Sequence, residues 1–250
     1  MPEALSAALA LDGLVWVLAT TILAGVVYGF AGFGSALIFM PLATIWLEPA
    51  FAIAAFSLSA VVSLFTVVPR AWGVAEKSAT FTLIGAAFLG APFGIYLLRV
   101  LDVDWVRIAV ATTVLVTLAA LMAGWRYATR PGVATRVGVG AATGVLGGLT
   151  GLMGPIVILF NLGAGSRAEV MRANTMVFLT TISILVLPQM AFQGLLSLEA
   201  LWLGVVMMPA YGIGTRIGQA LFDPDREVMY RRVAYGIIGL AGVMGLPIWQ

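Results

Sequence analysis

The sequence predicts an all-α polytopic membrane protein of two inverted-topology repeats, each a Gly-rich broken or re-entrant helical hairpin plus three transmembrane helices. Three observations lead there: lipid-scale hydrophobicity, a glycine motif that occurs twice, and a one-sided distribution of arginine. Of the 250 residues, 62% are hydrophobic and 10% charged, with a mean hydropathy of +1.07. A water-soluble domain carries roughly 25% charged residues, and a chain of this size could not bury so much apolar surface in a core of its own.

Apolar stretches run over about 13–31, 34–47, 50–69, 79–98, 106–124, 137–150, 152–164, 170–192, 198–219 and 230–249, with no aspartate or glutamate in the middle of any. Their Ala, Gly and Leu content suits close helix packing in lipid, and the strict alternation of a membrane β-barrel is absent. The start, Met1 to Leu14, has Glu3 and Asp12 but no basic residue. It lacks the positive region of a secretory signal, so the first apolar run is expected to be a retained span.

Two stretches are too short to cross. The run 152–164 would make about 20 Å of helix at 1.5 Å per residue, against a hydrocarbon core of roughly 30 Å. The run 34–47 is nearly as short, and each follows a glycine cluster. The clusters match: Gly25, Gly29 and Gly32 align with Gly144, Gly148 and Gly151 at one offset. Further on, Ala55 aligns with Ala173, Gly94 with Gly212 and Ile95 with Ile213. An internal duplication follows: a first repeat over 1–124, a basic linker over 125–136 with Arg126, Arg130 and Arg136, and a second repeat over 137–250.

With the linker cytoplasmic, counting spans outward leaves only Arg99 and Arg107, of 13 basic residues, on the far side. Arg70, Lys77, Arg167, Arg172, Arg216, Arg226, Arg231 and Arg232 then all face the cytoplasm, the arrangement the positive-inside rule favours. Equivalent loops, 99–107 and 216–232, fall on opposite sides. The repeats are therefore expected to be inverted, in the cell (inner) membrane, with both termini outside.

Gly25/Gly29 and Gly144/Gly148 have the spacing of close helix packing. The second part of each motif, Gly32-Phe33-Gly34-Ser35 and Gly151-Leu152-Met153-Gly154-Pro155, would interrupt the helix, and Pro155 suits the first turn of a new one. A helix that starts inside the membrane presents unpaired N–H groups and a positive dipole end. Such backbone is tolerated only where it is buried in protein or lines a wet cavity. Two breaks meeting near the midplane would suit an anionic group. The expected substrate-binding residues are Gly32, Gly34, Ser35, Ser57, Thr150, Gly151, Gly154, Asn174 and Thr175. Asn174-Thr175 aligns with Phe56-Ser57, so the second copy carries an extra amide; buried asparagine is also commonly interhelical glue. Arg172 is the one cation placed to reach the site, although its position also suits a helix-end anchor.

With Cys 0 and His 0, disulfides, thiolate chemistry and the commonest base and metal ligand are excluded. Gly34-Ser35 has no histidine to activate the serine. No catalytic residue, metal or cofactor is expected, and a net charge of +2 is too small to suggest nucleic acid. The partners expected are the bilayer and a small anion. A non-transporting membrane scaffold or assembly factor is the alternative, though it gives no reason for duplicated helix breaks.

The paired motifs, with Gly34-Ser35-Ala36, Pro41, Arg70-Ala71-Trp72-Gly73 and the run from Gly85 to Gly94, resemble the sulfite exporter TauE/SafE family over essentially the whole chain. That family's motif is Gly-x-x-x-Gly-x-x-Gly-x-Gly-Gly-Gly followed by proline. Here the final triplets read Gly34-Ser35-Ala36 and Met153-Gly154-Pro155, and Phe160 stands where the first copy has Pro41. The resemblance implies a permease for small anions such as sulfite, thiosulfate or organosulfonates.

Overall fold

Runs of Leu, Ala, Val and Ile without interior charge can satisfy their backbone in lipid only by closing helical hydrogen bonds within each segment. The computed structural model accordingly shows helices and no strand among the residues it describes, which are 2–124, 132–163, 167–221 and 227–246. The first half contains α1 (Pro2–Leu9), α2 (Leu14–Ala31), α3 (Ser35–Ala43), α4 (Pro49–Ser59), α5 (Ser63–Thr66), α6 (Val68–Trp72), α7 (Lys77–Val100) and α8 (Val103–Met122). The second contains α9 (Val133–Thr150), α10 (Pro155–Gly163), α11 (Ala168–Phe192), α12 (Leu198–Leu221) and α13 (Glu227–Met244). Six segments are long and apolar enough to cross a bilayer: Leu14–Ala31, Pro49–Thr66, Lys77–Val100, Val103–Met122, Glu169–Phe192 and Leu198–Leu221. Large apolar side chains at mid-helix, among them Leu89, Phe93, Val116 and Leu240, stand exposed on the outside of the bundle, where lipid is the natural solvent.

The helix before each short run ends at glycine. Gly32 closes α2 at φ +81°, its N–H on the Tyr28 carbonyl, and Gly151 closes α9 at φ +75°, its N–H on the Gly147 carbonyl. This left-handed cap is the conformation that favours glycine. The helices that follow, α3 and α10, have nine residues each.

The two halves pack by exchange. Helix α2 of the first half lies on α12 of the second, and α9 of the second lies on α7 of the first. These seams are backbone against backbone. A Cβ on Gly25 would meet the Tyr211 carbonyl at 2.7 Å, and one on Gly29 would meet that of Thr215. On the other seam Gly144 and Gly148 face the Ala87 and Ala91 carbonyls in the same way. The partner helices contribute glycines of their own, Gly214 and Gly218 against Ile22 and Val26, and Gly90 and Gly94 against Ala141 and Val145. In what they touch, Gly94 on the Val145 carbonyl resembles Gly218 on that of Val26, whereas the sequence alignment sets Gly94 beside Gly212, which faces the Val62 side chain.

One expectation is refined and one revised. The run over 50–69 holds the membrane-length span Pro49–Thr66, with a 3₁₀ turn over Ala60–Val62 inside it and a kink at Val67 beyond it. Pro69 removes an N–H from the next turn, and the Ser59 hydroxyl donates to the Phe56 carbonyl instead of leaving that segment undisturbed. Arg136, expected in the linker, lies in the first turns of α9. Residues 125–131 of that linker, with Arg126 and Arg130, lie outside the described residues, as do Arg226 and Gln250.

Polar side chains within the bundle answer such breaks. Pro92 in α7 frees the carbonyl of Phe88, and the Gln189 amide of α11 donates to that oxygen at 3.0 Å. Gln219 donates to the Thr66 carbonyl at 3.2 Å, beside the α5–α6 kink. Replacing Gln189 by leucine is expected to lower stability by about 1 kcal/mol. The loss should vanish in a Pro92→Ala background, where the helix closes its own bond. Thermal unfolding of the four variants in detergent measures this coupling; an equal cost in both backgrounds would count against it.

Candidate functional site

The glycine breaks bring the starts of α3 and α10 to one buried cavity. From the first come Gly34, Ser35, Ala36 and Leu37, and from the second Gly154, Pro155 and Ile158. Gly34 sits at φ +92° as the N-cap of α3, with no side chain capping the helix. The first carbonyl-directed bonds of the two helices are Ile38 N–H to Gly34 O and Ile158 N–H to Gly154 O. The N–H groups before them therefore have no partner in their own helix, and both dipoles present their positive ends to the same space.

The remaining wall sets hydroxyls and aromatic rings among the apolar side chains of Met40, Ile53, Met153 and Leu179. Ser57, Ala60 and Ser63 come from α4 through α5, Thr180 and Ser183 from α11, Tyr28 from α2 and Tyr211 from α12. Phe39 stacks on Phe56 at 4.4 Å, Phe56 meets Tyr211 edge-on at 5.7 Å, and Tyr211 lies 6.0 Å from Tyr28. Rings in such contact hold the wall rigidly. The Tyr211 hydroxyl lies beside those of Ser35 and Ser63, yet Ser63 Oγ completes no hydrogen bond of good geometry. No charged residue lines the cavity among those described. Its volume is about 30 Å³, space on the order of one or two waters.

Of the residues singled out in the sequence, Gly34, Ser35, Ser57, Gly151 and Gly154 line this cavity. The other four do not. Gly32 packs under Arg172, whose Cγ would lie 2.5 Å from an added Cβ. Thr150 bonds the Leu146 carbonyl and accepts from the Leu152 N–H, holding the turn after α9. Asn174 Oδ1 accepts the Glu76 N–H at 2.7 Å, tying down the start of α7. Thr175 donates to the Met171 carbonyl and accepts from Asn161. Asn174 thus has the interhelical role weighed against binding. Arg172 is also placed away from the cavity: its Nη2 donates to the Gly29 carbonyl at 2.5 Å, a cation on the C-terminal end of α2 where the dipole favours it.

Tyr28, Tyr211, Ser63, Thr180 and Ser183 were not singled out. A signal existed for some of them: Tyr28 stands inside the Gly25–Gly29 spacing, and Thr180 and Ser183 recur at one helical turn in an apolar run. Which of those hydroxyls turn inward depends on helix rotation, which packing sets.

A bundle with six membrane-length apolar helices, in which two helix starts and several hydroxyls meet at one small cavity, fits the class of multi-pass membrane permeases. A family model described as "Sulfite exporter TauE/SafE" matches residues 17–245, and the chain belongs to that family. No curated protein and no solved structure matches it.

Proposed function

We propose that this protein moves a small anion, a sulfur oxyanion such as sulfite or thiosulfate or an organosulfonate, by alternating access around the cavity at the two helix breaks. The observation that carries this reading is the convergence of the α3 and α10 N-termini on one cavity that holds donors and no carboxylate. Backbone N–H groups and hydroxyls can replace the hydration of an oxyanion, whereas a cation would meet the wrong end of both dipoles. Gly34, Ser35, Ser57, Gly151 and Gly154 form the contact set, with Ser63, Thr180, Tyr28 and Tyr211 completing it.

The repeats run in opposite directions across the inner membrane, with the linker inside and both termini outside. The reciprocal packing of α2 on α12 and α9 on α7 supports this, as does the sidedness of arginine. One repeat rocks against the other, and the glycine seams are where they slide. The chain has no histidine, and its acidic residues lie at the ends of the spans and not in their middles, so an inside-negative potential by itself favours anion exit.

Flux of sulfite, thiosulfate and an alkylsulfonate into proteoliposomes tests the reading. At least one should move saturably, and Ser35→Leu with Ser57→Leu should reduce that flux about tenfold, the loss of roughly 1.4 kcal/mol of binding or barrier lowering. A panel in which no oxyanion, sulfonate or carboxylate moves would favour the scaffold reading. A reporter fused after Gln250 should be external; a cytoplasmic one would overturn the orientation.

A further inference from the structure

A second cavity, of about 250 Å³, lies between α6, α11 and α12. Arg70 of α6, Arg172 and Glu169 of α11, and Gln219 of α12 supply its polar lining, and Met176 and Ala173 its inner wall. Two guanidiniums against one carboxylate make it net positive, in contrast to the uncharged central cavity. Its size admits an anion with part of its hydration shell, which the central cavity does not.

The two cavities follow one face of α11. Arg172 and Met176 face the outer one, and Thr180, a turn further on, faces the central one. Tyr28 stands at the boundary. Its hydroxyl donates to the Met176 carbonyl at 3.3 Å and shares a hydrogen bond of 3.1 Å with Thr180 Oγ1, and its ring is fully buried in the wall of the central cavity. The next residue, Gly29, gives its carbonyl to Arg172. A single turn of α2 therefore holds both the aromatic barrier and the cation that faces the outer cavity.

We propose that the Arg70–Arg172 cavity is an anion-collecting antechamber and that the Tyr28 hydroxyl is the latch of the gate between it and the central cavity. An oxyanion or sulfonate drawn to Arg172 competes with the Gly29 carbonyl for the guanidinium, a charge-assisted exchange that favours the anion. Loosening that bond frees the last turn of α2, which carries Tyr28, and the barrier swings away from Met176 and Thr180. The proposal rests on the anion-permease reading, but its test needs no flux.

The chain has Cys 0, so single cysteines can be placed without removing any. Val74→Cys reports on the antechamber and Ala60→Cys on the central cavity, both residues being in the respective linings. Protein in liposomes is treated with a sulfonatoethyl methanethiosulfonate and with its trimethylammonium counterpart, their rates normalised to free thiol. Val74→Cys should react about fivefold faster with the anionic reagent, and adding Arg70→Gln should bring the two rates close to parity. Ala60→Cys should react slowly, and Tyr28→Phe should speed it about fivefold, the weight of one hydrogen bond. Thr180→Val, which leaves the ring untouched, should act in the same direction. Equal rates or a cationic preference at Val74→Cys would overturn the antechamber, and an Ala60→Cys rate unmoved by both latch variants would overturn the gate. Should the labelling pattern hold while no anion is transported, the permease reading falls and the gated antechamber stands. If transport occurs without the pattern, the reverse is true.

Discussion

Gly218→Leu is expected to deplete the membrane of folded protein, and Gly94→Leu to do the same on the opposite seam. Each glycine faces main chain: an added Cβ on Gly218 runs into the Val26 carbonyl, and one on Gly94 into that of Val145. Overpacking in a core usually costs about 1–3 kcal/mol because neighbouring side chains can shift. Here the obstacle is the backbone of a helix whose own glycines, Gly25 and Gly29, are equally close to α12, so relief requires the helices to separate. The cost should reach about 3 kcal/mol or more. Gly85→Leu is the control on α7, since a Cβ there meets nothing within 4 Å, and it should stay within about 0.5 kcal/mol of the native chain. Thermal unfolding in detergent, together with the monodisperse fraction after extraction, reads both. An unchanged midpoint in Gly218→Leu would contradict the seam.

Gly34→Leu and Gly154→Leu should instead leave a folded protein that transports about tenfold less or worse. At Gly34 the φ of +92° makes a leucine strained by about 1–2 kcal/mol, but the nearest atoms to its Cβ, Val27 Cγ1 at 3.3 Å and Ile238 Cδ1 at 3.5 Å, are side-chain ends. At Gly154 the nearest is Ile158 Cδ1 at 2.9 Å, the far end of a flexible chain, and the φ is not left-handed. Both changes are therefore tolerable to the fold. Neither is tolerable to a cavity of about 30 Å³, which the rest of a leucine side chain would fill. Anion flux in proteoliposomes, normalised to the folded fraction, is the measurement. Full flux in both variants would remove the helix breaks from the site.

Much of this was legible in the residues alone. Thirty-ångström runs of apolar residues imply membrane helices because lipid offers the backbone no other partner. Gly32 and Gly151 were readable as breaks because each stands at the end of a spaced glycine series and is followed by a run too short to cross. Arg172 was readable as a helix-end cation, though not which helix it would serve. It caps α2, remote in sequence, because the missing Cβ of Gly32 leaves a slot for its stem.

The polar residues were harder. Asn174 and Ser57 look alike from sequence, a polar group within an apolar run. Packing turns the first to the Glu76 N–H and the second to the cavity. Gln189 made no signal, because its value depends on Pro92 lying opposite it on another helix. What Gly94 packs against was hidden for a similar reason: glycines are abundant enough to align in several registers, and only the carbonyl each one touches distinguishes them.

Composition and periodic glycine therefore determined the solvent, the helices and the places where they break, since these are properties of local backbone and its need for hydrogen-bond partners. Helix rotation, the assembly of Tyr28, Tyr211, Ser63 and Thr180 around one cavity, and the separation of that cavity from the Arg70–Arg172 chamber were decided only by tertiary structure. Those follow from which carbonyls two helices can bring together at a glycine seam, a contact between distant segments that no single stretch of chain encodes.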